Sequence, residues 1–290
     1  MSGIKSTPFV VTADDDGRHA PDGHPEWQES CALIWFDPEQ EIAGYQHLYL
    51  RPANGHAVLW GWHLDDAGAH ASTEPVVAAL PSHDLSDFEL LGWRIKTVAP
   101  LISYDATATY GDTESQIAYR AVTAPVAFGI PNLDGGTQQG HYESVGRITG
   151  SYRSPLRSCG LSGVAFHDHS WGVRSRPAGG PISHRFGFGE GADTHFVINQ
   201  TAGGPSSWDR SYLVAGGEQV PLIEIVGLSD LCETPEARVL LRTGTGEHEL
   251  ISNLALLTTV SYSQDYHARC AFFAGTIDGS DVAGMIELGG

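Results

Sequence analysis

The chain has 290 residues, of which 41% are hydrophobic, and a formal net charge of −19 at pH 7. This length can bury one large core or two cores of ordinary size. The acidity argues against nucleic acid and anionic membrane surfaces as partners, because binding to both depends on Lys and Arg.

Cysteine usage and the first residues indicate the compartment. The four cysteines, Cys31, Cys159, Cys232 and Cys270, lie far apart without a CxxC pair. This excludes zinc-ribbon and redox motifs and fits a reducing cytosol. The first thirty residues carry Asp14-Asp15-Asp16, and no apolar run approaches the roughly 18 residues that cross a bilayer. We therefore expect a soluble, cytoplasmic protein with no signal peptide and no membrane insertion.

Hydrophobic residues alternate with a period of two along most of the chain, which is typical of β-strands. The turn residues at 52–55 predict a hairpin between strands at Tyr45–Arg51 and Ala57–Leu64. Helical turns are predicted only at Glu74–Leu80 and around Pro25–Gln28. The remaining predicted strands are, in chain order, 92–98, 115–121, 140–152, 161–169, 183–188, 194–200, 211–214, 220–226, 237–242, 254–263, 268–277 and 282–288.

Many short strands with frequent turns predict an all-β fold of sandwich or barrel type with few helices. The polar, Gly-rich loop at 131–140 lies near the middle of the chain and suggests a domain boundary. We therefore predict an N-terminal β-domain at residues 1–139 and a C-terminal β-domain at residues 140–290. One single large β-domain is the alternative.

The most informative segment is the run His-Asp-His-Ser-Trp at residues 167–171. In a strand, His167, His169 and Trp171 share one face, while Asp168 takes the other. Two imidazoles and an indole on one wall suit a pocket that holds an apolar molecule and moves a proton. The alternative is that Asp168 and His169 make structural hydrogen bonds at a strand end, with Trp171 in the core.

The two histidines of this run could also chelate zinc or iron, because imidazoles at i and i+2 share a face. A third ligand for His167 and His169 would have to come from His184, His195 or Glu190. Fourteen histidines offer many accidental combinations of this kind. We predict no metal and no other cofactor.

Five further residues are candidates for a functional role. Tyr142 opens the long strand before the motif, where its phenol could donate a proton or pack as a core aromatic. Trp60 and Trp62 share one face of their strand and could line a ligand cavity or a packing surface. Glu26 and Glu29 flank Trp27, where the pKa of a carboxyl would rise unless the loop is exposed.

The segments Gly-His-Tyr-Glu-Ser-Val-Gly-Arg-Ile-Thr-Gly at 140–150 and His-Asp-His-Ser-Trp-Gly at 167–172 resemble the tandem lipocalin-like superfamily of carotenoid 1,2-hydratases (hydroxyneurosporene synthases) and AttH-type proteins. The resemblance implies two lipocalin-like β-barrel or sandwich domains packed together, with a pocket for an apolar ligand. In the hydratase branch a His-x-Trp pair lies in the active region, which corresponds here to His169 and Trp171. A Tyr and Asp pair further along in that branch would fall near His195, where this sequence has no Tyr-x-Asp.

Other catalytic signatures are missing from the sequence: it has no GxSxG elbow, no GxGxxG at a βα junction and no Walker A motif. We therefore predict a cofactor-independent lyase of hydratase or dehydratase type, acting on a hydrophobic, terpenoid- or steroid-like molecule. An isomerase or cyclase, and a lipocalin-like binding protein for an apolar ligand, are the alternatives. The expected partner is a small apolar molecule, and a homodimer is compatible with this hypothesis.

His169, helped by Asp168 and Tyr142, is predicted to carry out the acid–base catalysis. The predicted substrate-binding residues are Trp171, His167, Trp60, Trp62, Glu26 and His195.

Overall fold

The computed structural model of the protein describes residues 9–70, 76–80, 82, 84–129, 140–173, 183–202, 208–263 and 266–290. Within these residues the regular structure consists of 21 strands and of three short 3₁₀ turns, Ala13–Asp16, Pro52–Asn54 and Leu228–Cys232. The prediction of an all-β fold with few helices is confirmed. None of the helices in the described part of the chain is both long and apolar enough to span a bilayer.

Twelve strands form the first sheet, which curls into a half-barrel. They are β1 (Trp27–Asp37), β2 (Ile42–Arg51), β3 (His56–Asp65), β4 (Gly68–His70), β5 (Val76–Ala79), β6 (Asp87–Leu90), β7 (Trp93–Ala99), β8 (Ser103–Tyr110), β9 (Thr113–Ala121), β10 (Val126–Phe128), β11 (Gly140–Arg153) and β12 (Ser158–Val173). The order is β4-β3-β2-β1-β12-β11-β9-β8-β7-β6, with β5 paired to β3 and β10 to β11. The long hairpin β11–β12 therefore lies in the middle of this sheet, between β1 and β9.

Nine strands form the second sheet. They are β13 (Ser183–Gly191), β14 (Thr194–Ala202), β15 (Trp208–Asp209), β16 (Tyr212–Ala215), β17 (Glu218–Val226), β18 (Glu236–Thr243), β19 (Glu247–Ser263), β20 (Tyr266–Ile277) and β21 (Ser280–Gly289). Eight of them close into a barrel, because β13 pairs with both β14 and β21, while β15 adds to β14. An apolar core built from residues such as Phe196, Val239 and Phe273 fills this unit.

The chain divides into two compact units, and most of the second consists of residues 179–290. The strands β11 and β12 belong to the first unit and to its sheet, whereas the sequence analysis assigned residues 140–290 to a second domain. The division thus falls after β12 and not at residue 139, since β11 pairs back onto β9 and β10. The loop at 131–139 that suggested the boundary lies outside the described residues.

Neither predicted helical turn forms a helix where the structure describes it, although Pro25 and Glu26 form a hydrogen-bonded turn. Val76–Ala79 forms β5 and pairs with β3, while residues 74 and 75 lie outside the described part. Trp27 and Gln28 begin β1, which is buried along all 11 of its residues. A strand buried on both faces has no alternation of polar and apolar side chains, which removes the pattern that identified the other strands.

Glycines allow β11 to lie unusually close to β9. A Cβ atom added at Gly150 would lie 1.9 Å from the backbone oxygen of Gln116, and one at Gly146 would lie 2.5 Å from the oxygen of Arg120. No side chain fits at such distances without moving the neighbouring strand. The register of the strand that carries Tyr142 therefore depends on these two glycines.

We expect Gly150→Ala to lower the free energy of unfolding by about 2 kcal/mol, because the new methyl group collides with backbone. Gly160→Ala, in the paired strand, is the matched control, since the nearest atom to its added Cβ is 3.9 Å away. That variant should be neutral or more stable by up to about 1 kcal/mol. Urea unfolding measures both changes, and equal effects would contradict the close approach of β11 to β9.

Candidate functional site

The hairpin β11–β12 brings four of the predicted residues together on one face of the first sheet. The register pairs Tyr142 with His169. The side chains of Tyr142, His167, His169 and Trp171 are all buried, with no more than 3% exposed. The ring centre of Tyr142 lies 5.6 Å from that of His169 and 5.9 Å from that of His167, and His169 lies 5.3 Å from Trp171.

Glu29 of β1 supplies a fully buried carboxylate beside this cluster. Its Oε1 accepts hydrogen bonds from Nε2 of His169 at 3.1 Å, from Nδ1 of His19 at 2.8 Å and from the backbone N–H of His19 at 2.8 Å. Burial alone would raise the pKa of Glu29, but the hydrogen bonds from His169 and His19 outweigh it and lower that pKa. The second oxygen, Oε2, is buried and has no hydrogen-bond partner among the described residues.

His19 belongs to the segment before β1 and covers the indole of Trp171. The two rings stack with centres 3.8 Å apart and planes 10° from parallel. Phe9 packs edge-on against the same indole at 5.6 Å. Nε2 of His19 lies 3.3 Å from Oδ1 of Asp15, so the ring is held between two carboxylates. Polar contacts thus run without a break from Asp15 through His19 and Glu29 to His169.

A second buried carboxylate, Asp16, fixes Tyr142. Its Oδ1 accepts hydrogen bonds from the hydroxyls of Tyr142 and Tyr104, the latter at 2.7 Å, and its Oδ2 accepts one from the backbone N–H of Leu101 at 3.0 Å. Burial and the neighbouring charge of Asp16 raise the pKa of Tyr104 and of Tyr142 well above the usual range. Both phenols therefore stay protonated at neutral pH and act as hydrogen-bond donors.

Asp168 lies on the opposite face of β12, as the alternation of a strand requires. Its partner in the register is Glu143, and the next residue on that face, Ser170, contacts Ser30 of β1 at 3.0 Å. The side chain is half-buried. The structure therefore does not bring Asp168 to His169 as a catalytic partner.

Trp60 and Trp62 also lie on the face away from the cluster. The residue after Trp62, His63, points to the other side and contacts the ring of Tyr152 at 5.5 Å. Tyr152 and Tyr142 lie on the same face of β11, because their positions differ by an even number and the strand has no bulge. Trp60 and Trp62 therefore do not lie beside His169, although both are buried.

Two further predicted residues lie elsewhere. Glu26 is exposed just before β1, and its backbone N–H is bound by Nδ1 of His24. His195 belongs to β14 of the second unit and pairs with Glu190 of the neighbouring strand β13. Burial lowers the pKa of His195. Glu26 lies next to Trp27 in sequence but is exposed, because the buried strand β1 begins only at Trp27.

One group of donor atoms in the described part of the chain is compact enough to share a metal ion. It consists of His19, Glu29 and His169, whose ligand atoms all lie within 4.8 Å of one another. This group differs from the predicted combination of His167 with His169. The N···O distances of 2.8 and 3.1 Å are those of ordinary hydrogen bonds, so the three side chains satisfy one another in the structure.

Three residues of the cluster, Asp16, His19 and Tyr104, were not predicted from the sequence. Glu29 was a candidate through its closeness to Trp27, but its pKa is lowered and not raised as expected. A strand predicted at β1 would have placed Glu29 on the same face as Trp27 and thus in an apolar environment. Asp16 and His19 carry no comparable signal, because they lie in a polar, acidic loop and are brought to the sheet by tertiary contacts. Tyr104 could have been found, because polar and apolar residues alternate along the sequence of β8 and place Tyr104 on its apolar face.

The fold and the buried polar cluster together define an all-β protein of lipocalin-like type. Structures with this fold include an AttH protein from Nitrosomonas europaea, with a TM-score of 0.63, 13% identity and 99% of both chains covered. Kievitone hydratase from Nectria haematococca has a TM-score of 0.60 and 13% identity over 96% of this chain and 92% of its own. CghA has a TM-score of 0.57 and 11% identity over 91% of this chain and 88% of its own.

These likenesses confirm the predicted resemblance to the AttH and hydratase superfamily at the level of the fold. Residues 12–287 match the family described as Domain of unknown function (DUF7064), and the chain belongs to that family. No curated protein matches the sequence.

His167 is expected to make folding depend on pH. Burial lowers the pKa of His167 to about 4 from 6.5, although the charge of Asp16 opposes this shift. The unfolded chain therefore binds a proton that the folded protein excludes, and stability is complete above about pH 6.5 and falls as the pH drops towards about 4. Between about pH 7.5 and about pH 4.5 the loss should be about 2–3 kcal/mol.

Urea unfolding of the wild type and of His167→Phe at both pH values measures this contribution. The difference between the two proteins isolates His167 from the other titrating groups. Identical pH dependence in both would contradict a neutral, buried imidazole at this position.

Proposed function

We propose that the protein is a lyase of hydratase or dehydratase type that acts on a hydrophobic, terpenoid- or steroid-like molecule by acid–base catalysis without a cofactor. The pair of Glu29 and His169 carries this proposal. Nε2 of His169 donates to a buried carboxylate, and Nδ1 takes part in no hydrogen bond among the described residues. A carboxylate that orients an imidazole through one nitrogen leaves the other free to exchange a proton with substrate.

In the dehydration direction, protonated His169 gives its Nδ1 proton to a substrate hydroxyl. The carbon–oxygen bond breaks, water leaves and a carbocation remains. Nδ1 then takes a proton from the neighbouring carbon, which forms the double bond and restores the imidazolium. Hydration is the same sequence in reverse. The negative charge of Glu29 stabilises the imidazolium in both directions, because Coulomb attraction is strong in a buried site.

The aromatic rings around His169 suit a positively charged intermediate. The centres of the Tyr142 and Trp171 rings lie 5.6 and 5.3 Å from that of His169. Aromatic faces stabilise a cation through their quadrupole, and more so where water is excluded. Because the hydroxyl of Tyr142 already donates to Asp16, we assign Tyr142 to the wall of the site rather than to proton donation.

One further observation supports the proposal: the fold is similar to that of a protein named as a hydratase, kievitone hydratase. We also propose a cytoplasmic location, because none of the four cysteines forms a disulfide, which fits a reducing compartment. Asp168 is left outside the proposed catalytic residues, since it lies on the other face of β12.

We expect His169→Asn to lower turnover at least about a hundredfold with the fold intact, because general acid–base catalysis contributes about 10²–10⁴. A panel of tertiary terpenoid alcohols and their alkenes, beginning with linalool and α-terpineol, provides the substrates. Mass spectrometry detects the loss or gain of one water molecule, and circular dichroism checks the fold. His56→Asn, a partly buried histidine at the start of β3, is the matched control and should retain activity.

Full activity of His169→Asn would refute the assignment of His169. A product with the mass of the substrate would instead identify an isomerase or cyclase, and saturable binding without product would identify a carrier. Activity should survive treatment with EDTA. Loss on chelation, with recovery on adding zinc, would show that His19, Glu29 and His169 form a metal centre and would contradict the cofactor-free mechanism.

A further inference from the structure

His167 is a buried imidazole without a hydrogen bond. It lies two residues before His169 on the same face of β12, and 3% of its side chain is exposed. Its ring stacks on that of Tyr104, with centres 4.3 Å apart. Nδ1 is buried and has no partner, and neither ring nitrogen forms a hydrogen bond within the described residues.

The polar groups around His167 are satisfied by one another. The hydroxyls of Tyr104 and Tyr142 donate to Asp16, and the hydroxyl of Tyr119 bonds with the side chain of Ser144 at 2.8 Å. Phenylalanine at 167 could keep the stacking without burying unpaired polar atoms. A buried polar group that lacks a partner is costly, and such groups occur where a ligand or an ordered water completes the hydrogen bond.

Burial keeps the imidazole neutral at pH 7, since it lowers the pKa of His167 to about 4. A neutral imidazole offers one N–H donor and one acceptor nitrogen. A hydroxyl can use either of them, and a ketone oxygen can accept from the donor. An aliphatic or aromatic hydrocarbon can use neither.

We propose that His167 binds an oxygen atom, as a hydroxyl or a ketone, on a substrate that is otherwise apolar. Residues i and i+2 of a strand lie about 7 Å apart, so this oxygen is separate from the group that reacts at His169. The substrate class is therefore an oxygenated terpenoid- or steroid-like molecule and not a hydrocarbon. The inference rests on the proposed function for the identity of the site, but binding alone can test it.

Three compounds with the same carbon skeleton serve as probes: menthol, menthone and p-menthane. They carry a hydroxyl, a ketone and no oxygen respectively, and none is a tertiary alcohol or an alkene. Equilibrium dialysis with gas chromatography gives their affinities for the wild type, His167→Phe and His167→Gln. His56→Phe is the control for the same change at a partly buried position of the first unit.

We expect the wild type and His56→Phe to bind menthol or menthone at least about tenfold more tightly than p-menthane, the ratio that one buried hydrogen bond supplies. His167→Phe should bind all three equally, while His167→Gln, which keeps a donor and an acceptor, should retain the preference. If His167→Phe does not fold, His167→Leu, which also lacks a donor and an acceptor, takes its place and should likewise bind all three equally.

Equal affinity of the wild type for the three probes would overturn the inference and indicate that an ordered water satisfies His167. An unchanged preference in His167→Phe, or no binding of any probe, would overturn it as well. Because the probes do not react, a protein that fails to convert any alcohol or alkene can still show the preference. Failure of the lyase proposal and failure of this inference are therefore distinguishable.

Discussion

Two of the buried carboxylates of the first unit, Glu29 and Asp16, determine how the interior around His169 is organised. An ionised carboxylate away from water is stable only when several donors surround it. The donors come from segments far apart in the chain: His19 precedes β1, His169 lies on β12, and Tyr104 lies on β8. These hydrogen bonds connect the segment before β1 to the strands of the sheet. Each ring is oriented by the carboxylate to which it donates.

This constraint explains why the site has its chemical character. The imidazole of His169 is oriented by Glu29 through Nε2, and the phenol of Tyr142 is held by Asp16, so rotation of either ring would remove one of the hydrogen bonds of a buried carboxylate. A fixed imidazole among aromatic faces can move a proton while a cation forms beside it. The ring of His167 makes no hydrogen bond within the described residues, since the groups around it bind one another. This unpartnered ring is the basis for assigning His167 to the ligand.

Sequence patterns predicted much of the fold, because most strands have one polar face and alternate accordingly. β9 was found in this way, because its buried and exposed residues alternate. β3 is buried at all but its first residue and was found with β2 through the turn residues between them, whereas β1 is buried throughout and has no such turn signal before it. The core of the site was also visible in sequence, because a strand places His167, His169 and Trp171 on one face. Asp16 and His19 were not visible, since only tertiary contacts bring their polar loop to that face. Glu29 was visible only as a neighbour of Trp27, because the strand that carries both was not predicted. Trp60 and Trp62 share a face, as predicted. That this face is the one opposite His169 depends on the order and curvature of the sheet, which the sequence pattern does not show.

A double-mutant cycle on Glu29 and His169 tests the central claim most directly, because it isolates the energy of their interaction from the cost of each substitution. Urea unfolding at neutral pH gives the free energies of the wild type, Glu29→Gln, His169→Phe and the double variant. A buried hydrogen bond to a charged group predicts a coupling energy of about 1–3 kcal/mol. A coupling energy near zero would show that Glu29 does not hold His169 and would contradict the account of both the fold and the site.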